Sequence, residues 1–267
     1  MKSIKEMQDL SGKVAIITGA TGELGKIHAE SLAEFGCNVI LTDIQEEKLK
    51  ELVENLSPKY SSRIIGIRMD LFDKESIKET FKKTFEEFGK IDILINNAQY
   101  TCDEDIEPLE TFSKEVWEKI MAVNVTGNFL CCQQAIKYMG ENSSIINMGS
   151  IMGVIIPDNR IYEGMEINGR KMNSPLAYTT SKFAIIGLTK YLAAELAKKK
   201  IRVNCISPGG FESSQSESFK EKYGNKVPLG RMAKKEELKG AILYLASDTS
   251  SYLTGHNLIL DGGMSLW

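Results

Sequence analysis

A chain of 267 residues, 42% of them hydrophobic and 26% charged, has the composition of a folded globular protein and is long enough to enclose one large core. A formal net charge of −3 argues against a nucleic-acid binder, and no window is long and apolar enough to cross a bilayer. Two histidines and five scattered cysteines, with no Cys-x-x-Cys pair, argue against a metal site.

The first thirteen residues are polar and charged, without the apolar stretch and cleavage site of a secretory signal, so the chain is expected to stay in the cytoplasm. Short β-branched runs then alternate with segments of helical period, the pattern of a parallel sheet covered on both faces. Strands are predicted at 13–18, 37–42, 63–69, 91–95, 143–148, 201–206 and 257–261, and helices near 24–35, 45–56, 74–88, 113–139, 175–199 and 234–246. Seven strands fit one doubly wound α/β sheet, a Rossmann fold in a single domain spanning 1–267. Four of the cysteines lie in or beside apolar runs and are expected as buried, reduced thiols.

The first strand runs into TGATGELG, where Gly19, Gly22 and Gly25 are spaced three apart before an amphipathic helix. Glycine lets the chain turn tightly and approach a pyrophosphate, while the helix N-terminus offers free N–H groups and partial positive charge. Asp43 ends the second strand 18 residues beyond Gly25, where a carboxylate accepts hydrogen bonds from the adenosine ribose hydroxyls and repels the extra phosphate of NADP. The glycine turn holds no lysine or arginine, so the expected cofactor is NAD.

Further along, Asp70-Leu71, the NNA of Asn96 to Ala98, Asn124, Ser150, Tyr178-x-x-x-Lys182, Pro208-Gly209 and YLTGHNLILDGG follow in an order that resembles the short-chain dehydrogenases/reductases from Gly12 to Gly263. The resemblance implies cofactor contacts from Gly19, Thr21, Gly22, Glu23, Leu24 and Gly25 in the turn, from Asp70, Leu71, Asn97 and Ala98 around the adenosine, and from Tyr178, Lys182, Pro208, Gly209 and Ser213 at the nicotinamide end. Two residues depart from the family pattern. Glu23 stands where a glycine is usual and is expected to point to solvent, and Gln99 replaces another glycine, bringing a side chain toward the substrate.

Tyr178 and Lys182 are four apart in a predicted helix and so leave the same face one turn apart. An ammonium beside a phenol favours the phenolate, drawing the tyrosine toward working pH as an acid/base. Ser150 closes a strand at the end where open α/β sheets bind ligands, and resembles the serine that holds the substrate oxygen; Asn124 resembles the asparagine that relays protons to the lysine. The expected reaction is hydride transfer between NAD(H) and a secondary alcohol or ketone. An epimerase or dehydratase using bound NAD transiently, and an NAD-sensing protein without turnover, remain as alternatives.

Tyr178 follows Ser150 at a separation of 28 positions, against about a dozen in compact family members, so residues 154–174 form an insertion too long for an ordinary connection. Both its ends adjoin catalytic residues, which predicts a substrate-facing lid with Arg160 and Arg170 available to a phosphate or carboxylate. The IYEG segment, the NSPLAYTTSK stretch and the tail also resemble oxidoreductases of flagellin-modification and surface-sugar pathways, implying a sugar or sugar-phosphate substrate. The helices at 113–139 and 175–199 are apolar on more than one face, and relatives pair through the equivalent helices; a homo-oligomer, with a tetramer favoured, is expected.

Overall fold

The computed structural model describes residues 1–267, the side chain of Ile167 excepted. A short helix α1 (Ile4–Gln8), closed by a capping box between Ser3 and Glu6, precedes the sheet. The alternating core then runs β1 (Val14–Thr18), α2 (Glu23–Ala33), β2 (Asn38–Asp43), α3 (Glu46–Leu56), β3 (Ile64–Arg68), α4 (Lys74–Phe88) and β4 (Ile91–Asn96). After it come α5 (Lys114–Met121), α6 (Asn128–Ala135), β5 (Met139–Met148), a two-stranded hairpin of β6 (Glu166–Ile167) and β7 (Arg170–Lys171), α7 (Leu176–Leu196), β8 (Arg202–Pro208), α8 (Glu217–Gly224), α9 (Lys239–Ala246) and β9 (Asn257–Leu260).

The seven long-range strands pair in the order β3-β2-β1-β4-β5-β8-β9, all parallel, as the strand pattern predicts. Strand β1 reads VAIIT because every one of its residues is buried between helical layers. One layer packs α2, α3 and α9 through Leu32, Leu49, Leu52 and Ile242; Leu49, Leu52 and Leu56 recur at helical spacing on α3. The opposite layer packs α4, α6 and α7 through Ile77, Phe81, Cys131, Ala193 and Leu196. Cys37, Cys131, Cys132 and Cys205 are buried free thiols, as expected.

The sheet order reverses between β1 and β4, so the loops leaving their C-terminal ends diverge and open a crevice. A third apolar cluster stands over that edge, joining Ile151, Ile161, Tyr162, Tyr223, Val227, Met232 and Met264 from four separate chain segments.

The elements differ from the sequence pattern in four places, the first being helix α1, which was not expected. The helix expected at 113–139 is interrupted by a π-helical turn at Ala122–Gly127 and gives way to β5 at Met139. Helix α8 was not expected; its signal is an N-cap Ser216 with Phe219 and Tyr223 four apart on the face that joins the third cluster. The hairpin β6–β7 lies inside the insertion.

His28 of α2 is wholly buried, and neither ring nitrogen has a hydrogen-bond partner. Burial depresses its pKa from 6.5 to about 3. The unfolded chain therefore binds a proton that the folded chain refuses as pH falls below 6.5. Stability contributed by neutral His28 is complete above that pH and declines toward about 3, by about 1.4 kcal/mol per pH unit. Urea titrations at a series of acidic pH values should show this slope, and His28→Leu should reduce it by one proton; an unchanged slope would refute the assignment.

Candidate active site

A cleft of about 990 Å³ runs from the C-terminal ends of β1 and β2 across β4 and β5 to the third apolar cluster. Its first half is built on the glycine turn. Gly19 has φ +63°, and a Cβ there would sit 2.6 Å from the Cα of Ala98; a Cβ on Gly25 would lie 2.4 Å from the Gly19 carbonyl oxygen and 2.7 Å from the Cα of Ala20. Glycine at these positions lets α2 start directly behind the turn. Its N-cap, Gly22, carries no side-chain cap, leaving the first N–H groups of the helix for an anion.

Asp43 is buried at the end of β2 and organises the turn: one carboxylate oxygen accepts from the Thr21 backbone N–H (3.1 Å) and hydroxyl (2.7 Å), the other from the Gln45 N–H (3.0 Å). Asn97 closes the opposite wall, its side-chain amide donating to the Thr18 and Gly19 carbonyls at 2.9 and 3.0 Å. Thr21, Gly22, Glu23, Leu24, Asp70, Leu71, Ala98, Gln99, Pro208 and Gly209 also line the cleft. These residues fit a dinucleotide: a turn that a Cβ would fill, an open helix N-terminus, and a carboxylate one strand away.

Glu23 is exposed, as expected, and its carboxylate is paired at the surface: it holds Lys235 at 2.7 Å and accepts from the Ser213 hydroxyl at 3.1 Å, which lowers its pKa. One residue of this half lies differently from expectation. Ser213 faces Glu23 and is absent from the described cleft lining, where its neighbour Gln215 stands instead.

At the centre, β5 delivers Ser150 and α7 delivers Tyr178 and Lys182. The Ser150 hydroxyl accepts from the Met152 N–H at 3.2 Å and stands beside the phenol of Tyr178. Lys182 is buried, its ammonium 2.8 Å from the Met148 carbonyl oxygen and 5.2 Å from the centroid of the Tyr178 ring. Burial lowers its pKa to about 8, so it remains a cation at neutral pH. The Tyr178 phenol moves the opposite way from the sequence expectation. Burial pushes it up; the adjacent Ser150 hydrogen bond favours phenolate, and the charge of Asp105 disfavours it. The reason is geometric: in this arrangement the ammonium is directed at a backbone carbonyl rather than at the phenolic oxygen.

Asn124 lies buried in the π-helical turn. Its side chain accepts from the Tyr100 N–H at 2.7 Å and donates to the Tyr100 carbonyl at 3.2 Å, tying this turn to the loop after β4. A widened helical turn re-aims a side chain without ending the helix.

Asp105 escaped the sequence reading. It is buried in the cleft wall and accepts from the backbone N–H groups of Ala177 (2.7 Å) and Tyr178 (3.0 Å), occupying the open N-terminus of α7, whose N-cap Pro175 has no capping side chain. Burial raises its pKa. The sequence signal was faint because the capping carboxylate comes from a loop more than seventy positions away.

The insertion contributes Ile155, Pro157, Ile161 and Tyr162 to the cleft lining, but not its arginines. Arg160 is 74% exposed and paired with Asp158 at 2.7 Å; Arg170 pairs with Glu107 at 3.1 Å. Asn168 donates to Asp103 and Asn173 to the Ile106 carbonyl, so the hairpin is fastened to the acidic loop after β4. The expectation that Arg160 and Arg170 face a substrate anion is corrected: nearby carboxylates already hold both outside the cavity.

A family model described as enoyl-(acyl carrier protein) reductase matches residues 19–265. A 3-oxoacyl-[acyl-carrier-protein] reductase from Aquifex aeolicus is 35% identical over 261 residues, covering 96% of this chain and 98% of that protein. An NAD-dependent glycerol dehydrogenase from Listeria innocua is 33% identical over 265 residues, covering 97% and 96%. The crystal structure of a short-chain type dehydrogenase/reductase from Mycobacterium marinum superposes with a TM-score of 0.84 at 33% identity, covering 98% of this chain and 99% of that one.

Proposed function

The chain belongs to the short-chain dehydrogenase/reductase family of oxidoreductases, and we propose that it interconverts a secondary alcohol and a ketone with NAD(H), using Tyr178 as the acid/base. The observation that carries this reading is the meeting of Ser150, Tyr178 and Lys182 in a cleft whose other half is a glycine turn beside Asp43. When bound, a nicotinamide cofactor supplies or accepts the hydride. The residues of the chain do the rest. Ser150 and the Tyr178 hydroxyl hold the substrate oxygen, Tyr178 gives or takes its proton, and the Lys182 ammonium supports the phenolate as it forms. Asn124 positions the proton path behind them. The insertion at 154–174 acts as a wall of the substrate half, excluding water through Ile155, Ile161 and Tyr162.

Asp43 supports NAD over NADP, because its buried carboxylate borders the site for the adenosine ribose and the cleft lining around it carries no cation among the described residues. NADH is expected to bind at least roughly ten times more tightly than NADPH, and Asp43→Asn, which keeps the shape but drops the charge, should narrow the gap. Fluorescence titration with both cofactors tests this, and tighter NADPH binding would overturn it. Copies of the chain are proposed to assemble as a homo-oligomer, a tetramer favoured, through α6 and α7, whose outer faces leave Phe129 41%, Phe183 42% and Tyr191 69% exposed.

A further inference from the structure

The substrate half of the cleft is walled by Ile155, Ile161, Phe219, Tyr223, Met232 and Met264. These come from the insertion, α8, the segment before α9 and the C-terminal turn, and most belong to one packed cluster. Methionine and aromatic side chains of this kind adapt to an apolar body but offer few hydrogen bonds to a polyol. The Tyr223 hydroxyl is already used, accepting from the Gly210 N–H.

The charges are equally one-sided. Among the described residues lining the cleft, the charged ones are Glu23, Asp43, Asp70, Asp105 and Lys182. The first three line the cofactor half, and Lys182 is held by the Met148 carbonyl. Asp105 alone stands by the substrate, and both its oxygens already accept backbone N–H groups. The cations nearest the insertion are engaged outside the cavity: Arg160 and Lys226 on Asp158, Arg170 on Glu107, Lys222 on the Glu163 carbonyl. An anionic group entering this space gives up its water, finds no cation that is not already engaged and faces a carboxylate.

We propose that this site takes an uncharged alcohol or ketone with a compact apolar body and rejects phosphorylated and carboxylated analogues; this rests on the oxidoreductase reading of the same site. The consequence for the sugar-phosphate expectation is direct, since the one cation lining the cleft, Lys182, is already held by the Met148 carbonyl.

The test uses matched neutral and anionic ketones with NADH: cyclohexanone against 4-oxocyclohexanecarboxylate, and dihydroxyacetone against dihydroxyacetone phosphate. Each anion should fall at least about 100-fold below its neutral partner in kcat/KM, with cyclohexanone ahead of dihydroxyacetone. Binding is measured separately from chemistry, by calorimetric titration of the wild-type complex with oxidised NAD, which cannot reduce a ketone, with the same four ketones. An anion that equals or exceeds its neutral partner in either measurement overturns the inference, as does failure of cyclohexanone to bind. Binding in the expected order without turnover in the wild type supports the substrate class and counts instead against the oxidoreductase reading.

Discussion

Tyr178→Phe is expected to fold, bind NADH with unchanged affinity and lose roughly 10²- to 10⁴-fold in turnover, the usual worth of a general acid/base. The substitution removes one hydroxyl from a half-buried ring whose packing on α7 is otherwise kept, so stability should change by about 1 kcal/mol or less. The pH behaviour follows from the groups around the phenol. Burial and the Asp105 charge hold it protonated at neutral pH, while Lys182 keeps its own proton up to about 8. Ketone reduction, which needs the protonated phenol, should therefore be flat through neutrality, and alcohol oxidation, which needs the phenolate, should rise with pH. Steady-state rates in both directions across the pH range, with cofactor binding measured in parallel, check this. Turnover in Tyr178→Phe at the wild-type level would place the acid/base elsewhere.

Gly25→Ala is expected to weaken NADH binding by tenfold or more, roughly, and to cost about 1–3 kcal/mol of stability through overpacking. The added Cβ meets the Gly19 carbonyl oxygen at 2.4 Å and backbone atoms of Ala20 at 2.7 and 2.8 Å, and backbone cannot rotate away as a side chain can. Helix α2 must shift from the turn, taking with it the N–H groups that face the pyrophosphate site. For a chain of this size the loss corresponds to a few degrees in Tm per kcal/mol. Thermal melts and NADH titration give the two readings. Unchanged affinity would mean that the cofactor does not rest on this helix terminus.

The sheet, its strand positions and the meeting of Ser150, Tyr178 and Lys182 in one cleft were legible in the sequence for a physical reason: each is encoded locally. Strands buried on both faces must be continuously apolar, as in VAIIT. A tight turn against a helix must be glycine, as at Gly19 and Gly25, and two residues four apart on α7 must share a face, as Tyr178 and Lys182 do. What the tertiary structure alone decided depends on partners distant in the chain. Asp105 reaches the N-terminus of α7, Glu23 finds Lys235 and Ser213, and Arg170 finds Glu107, across separations that no local pattern records. The same holds for the Tyr178 phenol, whose direction of shift depends on burial and on where the Lys182 ammonium points, not on their spacing. Composition placed arginines in the insertion; only the fold decided that carboxylates outside the cavity would hold them, leaving an apolar wall facing the reacting centre.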